Sequence, residues 1–298
     1  MSEVKRITAF TEVNSKEITA STEVNSEETE IKQPVDTKTI LLAILVRNKA
    51  HILPHFLKCI DGLEYDKQLI TVYVDTNNNC DLTEYILDLW VSAHQKDYKH
   101  IEINKHEVKE IESETTNPHT WTTKRFKNLG EIRNKSLQKA IEYKCDYYFV
   151  VDCDNLITPK TLRTLVNEDK SYIAPMLTEV PDEKDYYSNF FRDVDERGYY
   201  KHSNDYYDIL YRRKIGTFEV PVAHCTYLIK TEYLSKLSYV DETNRYEFVI
   251  FSDSARKNGV KQYICNKLVF GVLVLTRTDA SLADEANEVN KYFLTKKA

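Results

Sequence analysis

Two aspartates with a fixed spacing are the most chemically informative residues of this chain. Asp152 and Asp154 come directly after the five-residue apolar run YYFVV, which is typical of a buried strand. Because side chains at i and i+2 point to the same side, two carboxylates would meet at the carboxyl end of that strand. Such carboxylates repel each other unless a cation lies between them, and Mg²⁺ and Mn²⁺ prefer oxygen ligands of this kind. The same residues are also compatible with a simple turn or a helix cap.

The elements that precede this pair alternate between strand and helix patterns. The apolar run TILLAILVRN predicts a strand that is buried on both faces, and KAHILPHFLKCIDGL has helical spacing. LITVYVDTNNNCD predicts a second strand. DLTEYILDLWVSAHQ predicts a helix capped by Asp81, with Glu84 completing a capping box. This alternation predicts an α/β fold with a mixed, mostly parallel sheet flanked by helices.

The rest of the chain continues the alternation with two interruptions. Residues 104–122 are polar and predict an irregular excursion, and the tyrosine-rich residues 185–211 predict a mixed, partly exposed surface. FKNLGEIRNKSLQKAIEY and TPKTLRTLVNE predict helices, the second with Pro159 near its first turn. SYIAPML and PVAHCTYLI predict strands, and YEFVIFSDSARKNG predicts a helix that ends at Gly259. KQYICN predicts the last strand.

Composition excludes several classes of protein. With 42% hydrophobic and 30% charged residues the chain has the balance of a globular protein, and its net charge of -6 argues against a nucleic-acid or anionic-membrane binder. Six cysteines without CxxC spacing indicate reduced thiols and a reducing compartment. No apolar stretch is long enough for a membrane span. The sequence carries no signal for an oligomeric state.

Eight stretches of the chain occur together in one known family, in the same order. They are LLAILVRNKAHILPHFL, HTWTTKRF, YYFVVDCDNLITPKTLRTLV, IAPML, YYSNFF, GYYKHSNDYY, VPVAHCTYLI and KNGVKQYICN, and they cover roughly residues 38 to 275. Through them the chain resembles the N-terminal transferase domain of the procollagen galactosyltransferases of glycosyltransferase family 25 and of their cell-adhesion-molecule relative.

The resemblance implies a GT-A fold, a Rossmann-like α/β sheet that binds a UDP-sugar together with Mn²⁺ or Mg²⁺. It implies transfer of galactose from UDP-galactose to hydroxylysine of a collagen-like polypeptide with inversion, whereas a related domain of the lysyl hydroxylases transfers glucose from UDP-glucose. The GT-A domain is expected over residues 38–277. Residues 1–37, which repeat TEVNS, and residues 278–298 are expected to form a flexible or helical tail at each end.

The same resemblance assigns roles to the triplet Asp152-Cys153-Asp154 and to nearby residues. Asp154 is expected to bind the metal directly and Asp152 to hold the ribose or a metal-bound water, with Cys153 among the donor-binding residues. His224, in an otherwise apolar strand, is either a core residue or a ligand for metal, phosphate or acceptor. Relatives carry a histidine after their equivalent of Cys265-Asn266-Lys267, but this chain does not. Either His224 or water completes the metal shell, or metal use is weakened.

Further donor-binding residues are expected to follow the first two strands, at the edge of the sheet. They are Arg47, Asn48, Asp75, Thr76 and Asn77, for which loop solvation is the competing interpretation. Arg133, on the helix before the acidic strand, resembles the helical arginine that contacts the donor in this fold. Trp121, in HTWTTKRF, is the candidate for stacking on a sugar or on uracil, and a half-buried structural aromatic is the alternative.

An inverting transferase needs a general base that removes the proton of the acceptor hydroxyl. Glu247 opens an otherwise apolar helix, and relatives carry acidic residues at this point, so Glu247 is the candidate base. Its alternative role is that of a first-turn carboxylate favoured by the helix dipole.

Two other functions stay open at the level of sequence. In the first, the chain is a transferase whose acceptor is a glycan or a lipid-linked sugar. This alternative arises because family 25 also resembles bacterial lipopolysaccharide galactosyltransferases. In the other, the chain is a non-catalytic binding or adhesion module that retains the fold. The sequence shows neither a signal peptide nor a luminal retention signal, which favours a cytoplasmic microbial or viral homologue.

Overall fold

The computed structural model describes residues 36–109, 121–179 and 187–274. The helices in this part of the chain are α1 (Leu53–Asp61), α2 (Thr83–His94), α3 (Thr123–Glu142), α4 (Thr161–Asn167), α5 (Asn204–Leu210) and α6 (Glu247–Lys257), with 3-10 turns at Lys67–Leu69 and Thr231–Lys236. The strands are β1 (Ile40–Val46), β2 (Ile70–Asn77), β3 (His100–His106), β4 (Tyr147–Val151), β5 (Asn155–Ile157), β6 (Tyr172–Pro175), β7 (Thr178–Glu179), β8 (Phe190–Phe191), β9 (Asp193–Val194), β10 (Tyr200–Lys201), β11 (Thr217–Val220), β12 (Val222–Ala223), β13 (Thr226–Lys230), β14 (Gln262–Cys265) and β15 (Gly271–Leu273).

One eight-stranded sheet forms the centre, with strand order β11-β14-β6-β13-β4-β1-β2-β3. Neighbours pair in parallel from β4 through β1 and β2 to β3, and again between β14 and β6. Strand β13 runs antiparallel to both β4 and β6, and β11 runs antiparallel to β14. The predicted α/β fold with a mixed, mostly parallel sheet is therefore confirmed.

Strand β1 shows why the sheet is covered on both faces. Ile40, Leu42 and Ile44 pack into one core cluster together with residues of α1 and α2. Leu41 and Ala43 point the opposite way and pack with α3 and α6. Because successive side chains of a strand alternate between faces, an unbroken apolar run is what a strand between two helical layers requires.

Three strand predictions need correction. The polar stretch predicted from residue 104 begins inside β3, because β3 continues its parallel register with β2 as far as His106. PVAHCTYLI is not one strand: β12 and β13 are separated at His224 and Cys225, where Cys225 has a left-handed backbone with φ 65°. KQYICN is not the last strand either, since β15 follows and pairs with β5 and β7.

The start of α2 also differs from the predicted capping box. The helix begins at Thr83, and Asp81 Oδ1 accepts a hydrogen bond from the Thr83 N–H at 2.9 Å. Glu84 does not complete a box with Asp81, because its Oε1 accepts from Asn79 Nδ2 at 3.1 Å. Gly259 does follow α6 with φ 68°, as predicted. The two predicted tails lie outside the described residues, apart from Asp36 and Thr37.

Gly130 allows α3 to approach the segment that precedes α6. A Cβ at this position would lie 2.7 Å from Tyr239 O and 3.0 Å from Val240 Cγ2. We expect Gly130→Ala to lower the free energy of unfolding by about 1–3 kcal/mol, because the clash outweighs a gain in helix propensity of about 1 kcal/mol. Urea denaturation measures the effect, with Lys135→Ala on the exposed face of α3 as the control. A Gly130→Ala protein as stable as wild type would show that α3 can shift without cost.

Candidate functional site

One edge of the central sheet gathers most of the predicted site residues. The carboxyl ends of β1, β2, β3 and β4 lie at this edge because these strands are parallel. Strand β13 runs the opposite way, so its first residue, Thr226, pairs with the last residue of β4, Val151. The residues that follow β4 and those that precede β13 therefore meet at the same edge, which is where open α/β sheets bind ligands.

Asp152 is the first residue beyond β4, and its side chain is fixed by an arginine. Asp152 Oδ1 accepts a hydrogen bond from Arg133 Nη2 at 2.8 Å, and the Asp152 side chain is 22% exposed. The Asp152 N–H donates to Cys225 O at 3.3 Å, and Asp152 O accepts from the Asn155 N–H at 2.9 Å. We call the turn formed by Asp152, Cys153 and Asp154 the acidic turn. These bonds hold the acidic turn against the start of β13.

Asp154 lies on the more accessible side of the turn. Its side chain is 28% exposed, and its Oδ2 lies 3.9 Å from Lys49 Nζ. Sequence reasoning missed Lys49, although its position just after β1 could have indicated it. Cys153 between the two aspartates packs into the core, and burial raises the pKa of its thiol. A role for Cys153 in donor binding would therefore fall to its backbone.

Arg133 and Glu247 form a buried pair behind the acidic turn. Arg133 is 6% exposed and Glu247 is 6% exposed, with 3.8 Å between Arg133 Nε and Glu247 Oε1. Burial disfavours the charged form of Arg133, but the charges of Asp152 and Glu247 outweigh it and raise the pKa of the guanidinium. Burial raises the pKa of Glu247 in spite of the nearby Arg133 charge.

Some polar atoms of this pair have no hydrogen-bond partner within the described residues. They are Arg133 Nε and Nη1 and Glu247 Oε2. Buried polar atoms of folded proteins are nearly always paired, so two unpaired donors and one unpaired acceptor in one place need an explanation. Contact with a ligand supplies one.

Lysine in place of Arg133 tests the importance of the guanidinium geometry. We expect Arg133→Lys to lower the free energy of unfolding by about 1–3 kcal/mol. Lysine keeps the charge, but it lacks the planar guanidinium group that contacts both Asp152 and Glu247. Thermal denaturation at neutral pH measures the change. The control is Lys135→Arg, two residues away on the exposed face of α3. A wild-type melting temperature for Arg133→Lys would contradict a bridging role for Arg133.

His224 lies beside this cluster in an aromatic environment. It is 2% exposed, its ring centroid lies 4.5 Å from that of Phe248, and its Nδ1 lies 2.9 Å from Cys225 Sγ. Burial, with the positive charge of Arg133, lowers the pKa of His224 to about 3, so the imidazole is neutral at pH 7. Its Nε2 is buried and lacks a hydrogen-bond partner in the described part of the chain.

The predicted metal ligands are the two carboxylates after β4 and His224. No group of three or more His, Cys, Asp and Glu side chains that could hold a metal ion is found among residues 36–109, 121–179 and 187–274. Asp152, Asp154 and His224 are thus not brought together as a three-ligand cluster. Two partly exposed carboxylates on one turn still fit a hard cation of the Mg²⁺ type, which is usually held by one or two carboxylates, substrate phosphates and water.

Asn48 connects the loops that follow β1 and β2. It has a left-handed backbone with φ 52°, a conformation that asparagine tolerates better than most residues. Its N–H donates to Asn79 Oδ1 at 2.9 Å, and its Oδ1 accepts from the Cys80 N–H at 2.8 Å. The Asn48 side chain therefore shapes the loop in which Arg47 lies.

The sequence predicts that Asp75, Thr76 and Asn77 follow the second strand. In the structure they are instead the last three residues of β2. Asp75 is 2% exposed, and its Oδ2 accepts hydrogen bonds from Tyr73 Oη at 2.9 Å and Asn104 Nδ2 at 2.7 Å. Thr76 Oγ1 accepts from Asn79 Nδ2 at 2.7 Å. Their place at the carboxyl edge is as predicted, but Asp75 and Thr76 are bonded within the protein.

Trp121 lies on the Glu247 side of the site. It is 49% exposed, and its ring stacks on Phe126 with centroids 5.1 Å apart. The Phe126 ring in turn lies 4.5 Å from that of Tyr246, the residue before Glu247. The predicted aromatic is thus accessible and is connected through one ring to the start of α6.

The chain is similar to known sequences over most of its length. The model of glycosyltransferase family 25, N-terminal domain, matches residues 37–292. Human procollagen galactosyltransferase 2 is 34% identical over 250 residues, which is 81% of this chain and 39% of that protein. Zebrafish procollagen galactosyltransferase 1 (Danio rerio) is 35% identical over 256 residues, covering 83% of this chain and 42% of that protein. The chain thus spans about two fifths of the length of these relatives.

Two further similarities bear on fold and activity. Mouse inactive glycosyltransferase 25 family member 3 is 30% identical over 256 residues, covering 83% of this chain and 43% of that protein. Among solved structures, S. aureus TarS 1-349 in complex with UDP-GlcNAc matches with a TM-score of 0.54 at 13% identity, over 86% of this chain and 66% of that one. The fold is that of the GT-A glycosyltransferases.

Proposed function

The chain belongs to glycosyltransferase family 25, and from that membership we propose that it is an inverting, metal-dependent transferase. In this proposal it moves a hexose, with galactose favoured, from a UDP-sugar to hydroxylysine of a collagen-like polypeptide. Membership of the family and the GT-A fold support a glycosyltransferase. The acceptor and the sugar come from the names of the procollagen galactosyltransferases that it resembles.

One observation carries the proposal: the acidic turn and a buried carboxylate share one arginine. Arg133 contacts Asp152 at 2.8 Å and Glu247 at 3.8 Å. A displacement with inversion needs the leaving diphosphate on one face of the sugar and a base on the other. The contacts of Arg133 support the proposal because they connect one acidic group for the donor side, Asp152, with a second acidic group for the acceptor side, Glu247.

On the donor side, Asp154 and Asp152 would hold a divalent cation, which supplies Lewis-acid stabilisation of the charge on the leaving diphosphate. Lys49 Nζ, 3.9 Å from Asp154 Oδ2, adds a positive charge near the same place. Arg133 keeps Asp152 oriented through its hydrogen bond. Arg47, Asn48, Asp75, Thr76 and Asn77 line the neighbouring strand ends, where the nucleoside would bind.

On the acceptor side, Glu247 would remove the hydroxyl proton. Burial raises its pKa, which makes the carboxylate a stronger base than an exposed glutamate. Arg133 limits this shift, because its charge favours the ionised form that can accept a proton. Glu247 Oε2 has no hydrogen-bond partner in the described residues, and it is the atom that we assign to the acceptor hydroxyl.

A non-catalytic binding module is the second candidate. It is favoured by the relatives that are named inactive. Such a module would retain the GT-A fold and bind a polypeptide without transferring sugar.

A donor panel distinguishes these functions. Purified protein is incubated with Mn²⁺, a hydroxylysine-containing peptide and either UDP-galactose or UDP-glucose, and glycosylated peptide is measured by mass spectrometry. We expect a hexose adduct on hydroxylysine and none on the matched lysine peptide. Transfer only to oligosaccharide acceptors would contradict the proposed acceptor. Failure both to bind UDP with Mn²⁺ and to hydrolyse any UDP-sugar would support the non-catalytic candidate.

A further inference from the structure

Each carboxylate of the acidic turn has a cationic partner, and the two partners differ in how firmly they are held. Asp152 accepts a hydrogen bond from Arg133 at 2.8 Å, and Asp154 lies 3.9 Å from Lys49 Nζ. The Arg133 side chain is 8% exposed, whereas those of Lys49 and Asp154 are 24% and 28% exposed. A buried guanidinium that contacts two carboxylates is fixed in place, but a partly exposed ammonium on a flexible stem can change partners.

The backbone of Lys49 is held from two sides, so its side chain starts from a defined place. The Lys49 N–H donates to Thr83 Oγ1 at 2.8 Å, and Lys49 O accepts from the N–H groups of Ile52 and Leu53 at 3.1 and 2.8 Å. These bonds connect Lys49 to the starts of α2 and α1, while its ammonium reaches the turn after β4. Moving the ammonium away from Asp154 therefore needs only side-chain rotation and breaks none of these backbone bonds.

Lys49 and a divalent cation would compete for the same carboxylate. Without a metal, Asp152 and Asp154 repel each other, and an ammonium beside Asp154 offsets that repulsion. With Mg²⁺ or Mn²⁺ at Asp154, the same ammonium is a like charge and is repelled. These ions are usually held by carboxylates and substrate phosphates together, so the phosphates would arrive beside Lys49. Because lysine binds phosphate as a point charge, its ammonium would gain a partner where it loses one.

We propose that Lys49 is an exchangeable counter-ion of the acidic turn, which neutralises Asp154 in the metal-free protein and moves to the diphosphate of the donor when the cation binds. The inference rests on the proposed function, which places the divalent cation and the donor at this turn. It gives Lys49 two opposite effects: the ammonium opposes binding of the cation alone and favours binding of the nucleotide with the cation. The site thereby selects the metal and the nucleotide together over the metal alone.

Methionine in place of Lys49 removes the charge and keeps a flexible apolar stem. Binding of Mn²⁺ to the full chain without nucleotide is measured from the electron paramagnetic resonance of free Mn²⁺, and binding of UDP at saturating Mn²⁺ by calorimetry. We expect Lys49→Met to bind Mn²⁺ about three- to tenfold more tightly, because a neighbouring positive charge is lost. We expect it to bind UDP about five- to fiftyfold more weakly, because a charged phosphate contact is lost.

The opposite signs separate this role from a structural one. If Lys49 only shaped the turn, Lys49→Met would weaken the binding of both Mn²⁺ and UDP, and that result would overturn the inference. An unchanged affinity for either ligand would also overturn it. Lys49→Arg keeps the positive charge, and we expect both of its affinities to stay within about threefold of wild type. A Lys49→Arg protein that behaves like Lys49→Met would show that the charge is not the cause.

Lys230→Met is the matched control. Lys230 is also a partly buried lysine beside an aspartate, with a side chain that is 25% exposed and Nζ 2.8 Å from Asp169 Oδ1. It pairs with Tyr147 at the start of β4, at the edge of the sheet opposite the acidic turn. We expect wild-type affinities for Mn²⁺ and UDP. Changes like those of Lys49→Met would show that the effect does not depend on the place of the charge, and would contradict the inference.

The outcomes for Lys49 and for the proposed function differ. If Lys49→Met has both expected effects but the wild-type protein transfers no sugar, the proposed transferase is contradicted and the counter-ion role is supported. If the wild-type protein transfers hexose to hydroxylysine but Lys49→Met binds Mn²⁺ and UDP as wild type does, the counter-ion role alone is contradicted. A wild-type protein that binds neither Mn²⁺ nor UDP contradicts both.

Discussion

Asparagine in place of Asp154 is expected to lower transfer by about a hundred- to ten-thousand-fold, because it removes the more accessible carboxylate of the acidic turn. Charge stabilisation by a catalytic cation is worth several kcal/mol, and the amide is a much poorer ligand than the carboxylate. The Asp154 side chain is 28% exposed and its recorded ion pair is with Lys49 at 3.9 Å, so the fold should tolerate the change. The initial rate of transfer to a hydroxylysine peptide, measured over a range of Mn²⁺ concentrations, checks it.

The matched control is Asp88→Asn on α2. Asp88 is also a lysine-paired aspartate, 59% exposed and 2.8 Å from Lys105 Nζ, but it lies in a surface pair, which contributes little to stability. We expect wild-type rates from this variant. Transfer by Asp154→Asn at the wild-type rate, with unchanged Mn²⁺ dependence, would refute the metal-binding role of the turn.

Patterns that repeat along the chain made the fold predictable from sequence. The run TILLAILV had to form a strand covered on both sides, because any other arrangement would expose alternate apolar residues. The position of the acidic turn was also predictable, because it depends only on where the apolar run of β4 ends. Element boundaries near the site were harder: hydrogen bonds to β3 extend β2 to Asn77, and that pairing has no local signal.

The break at His224 and Cys225 could not be predicted, because PVAHCTYLI has an uninterrupted strand composition. The chain leaves the strand path there, at the left-handed Cys225, and the Asp152 N–H bonds to Cys225 O at 3.3 Å. This contact joins residues far apart in sequence. The two contacts of Arg133 also join distant parts of the chain, since Asp152 follows β4 and Glu247 begins α6. Contacts of this type form only once the sheet is assembled, and no regular spacing of residues in the sequence indicates them.

Glutamine in place of Glu247 is expected to lower kcat by about a hundred- to ten-thousand-fold, the usual contribution of a general base. Glutamine has nearly the same size and keeps an oxygen near Arg133, but it cannot accept the acceptor proton. The KM for UDP-sugar should change little, because the contact of Arg133 with Asp152 at 2.8 Å does not depend on the charge of residue 247. Steady-state kinetics with a hydroxylysine peptide separates the two parameters.

The pH dependence supplies a second readout for the same residue. A protonated Glu247 cannot act as a base, so activity should fall as the pH decreases through its pKa. Because burial raises that pKa, the fall should occur at a higher pH than the value of about 4.3 for an exposed glutamate. Glu247→Gln should lose this acidic limb from its residual activity, whereas Glu242→Gln, an exposed change near the start of the same helix, should retain it. An acidic limb that persists at the same pH in Glu247→Gln would assign the base to another residue.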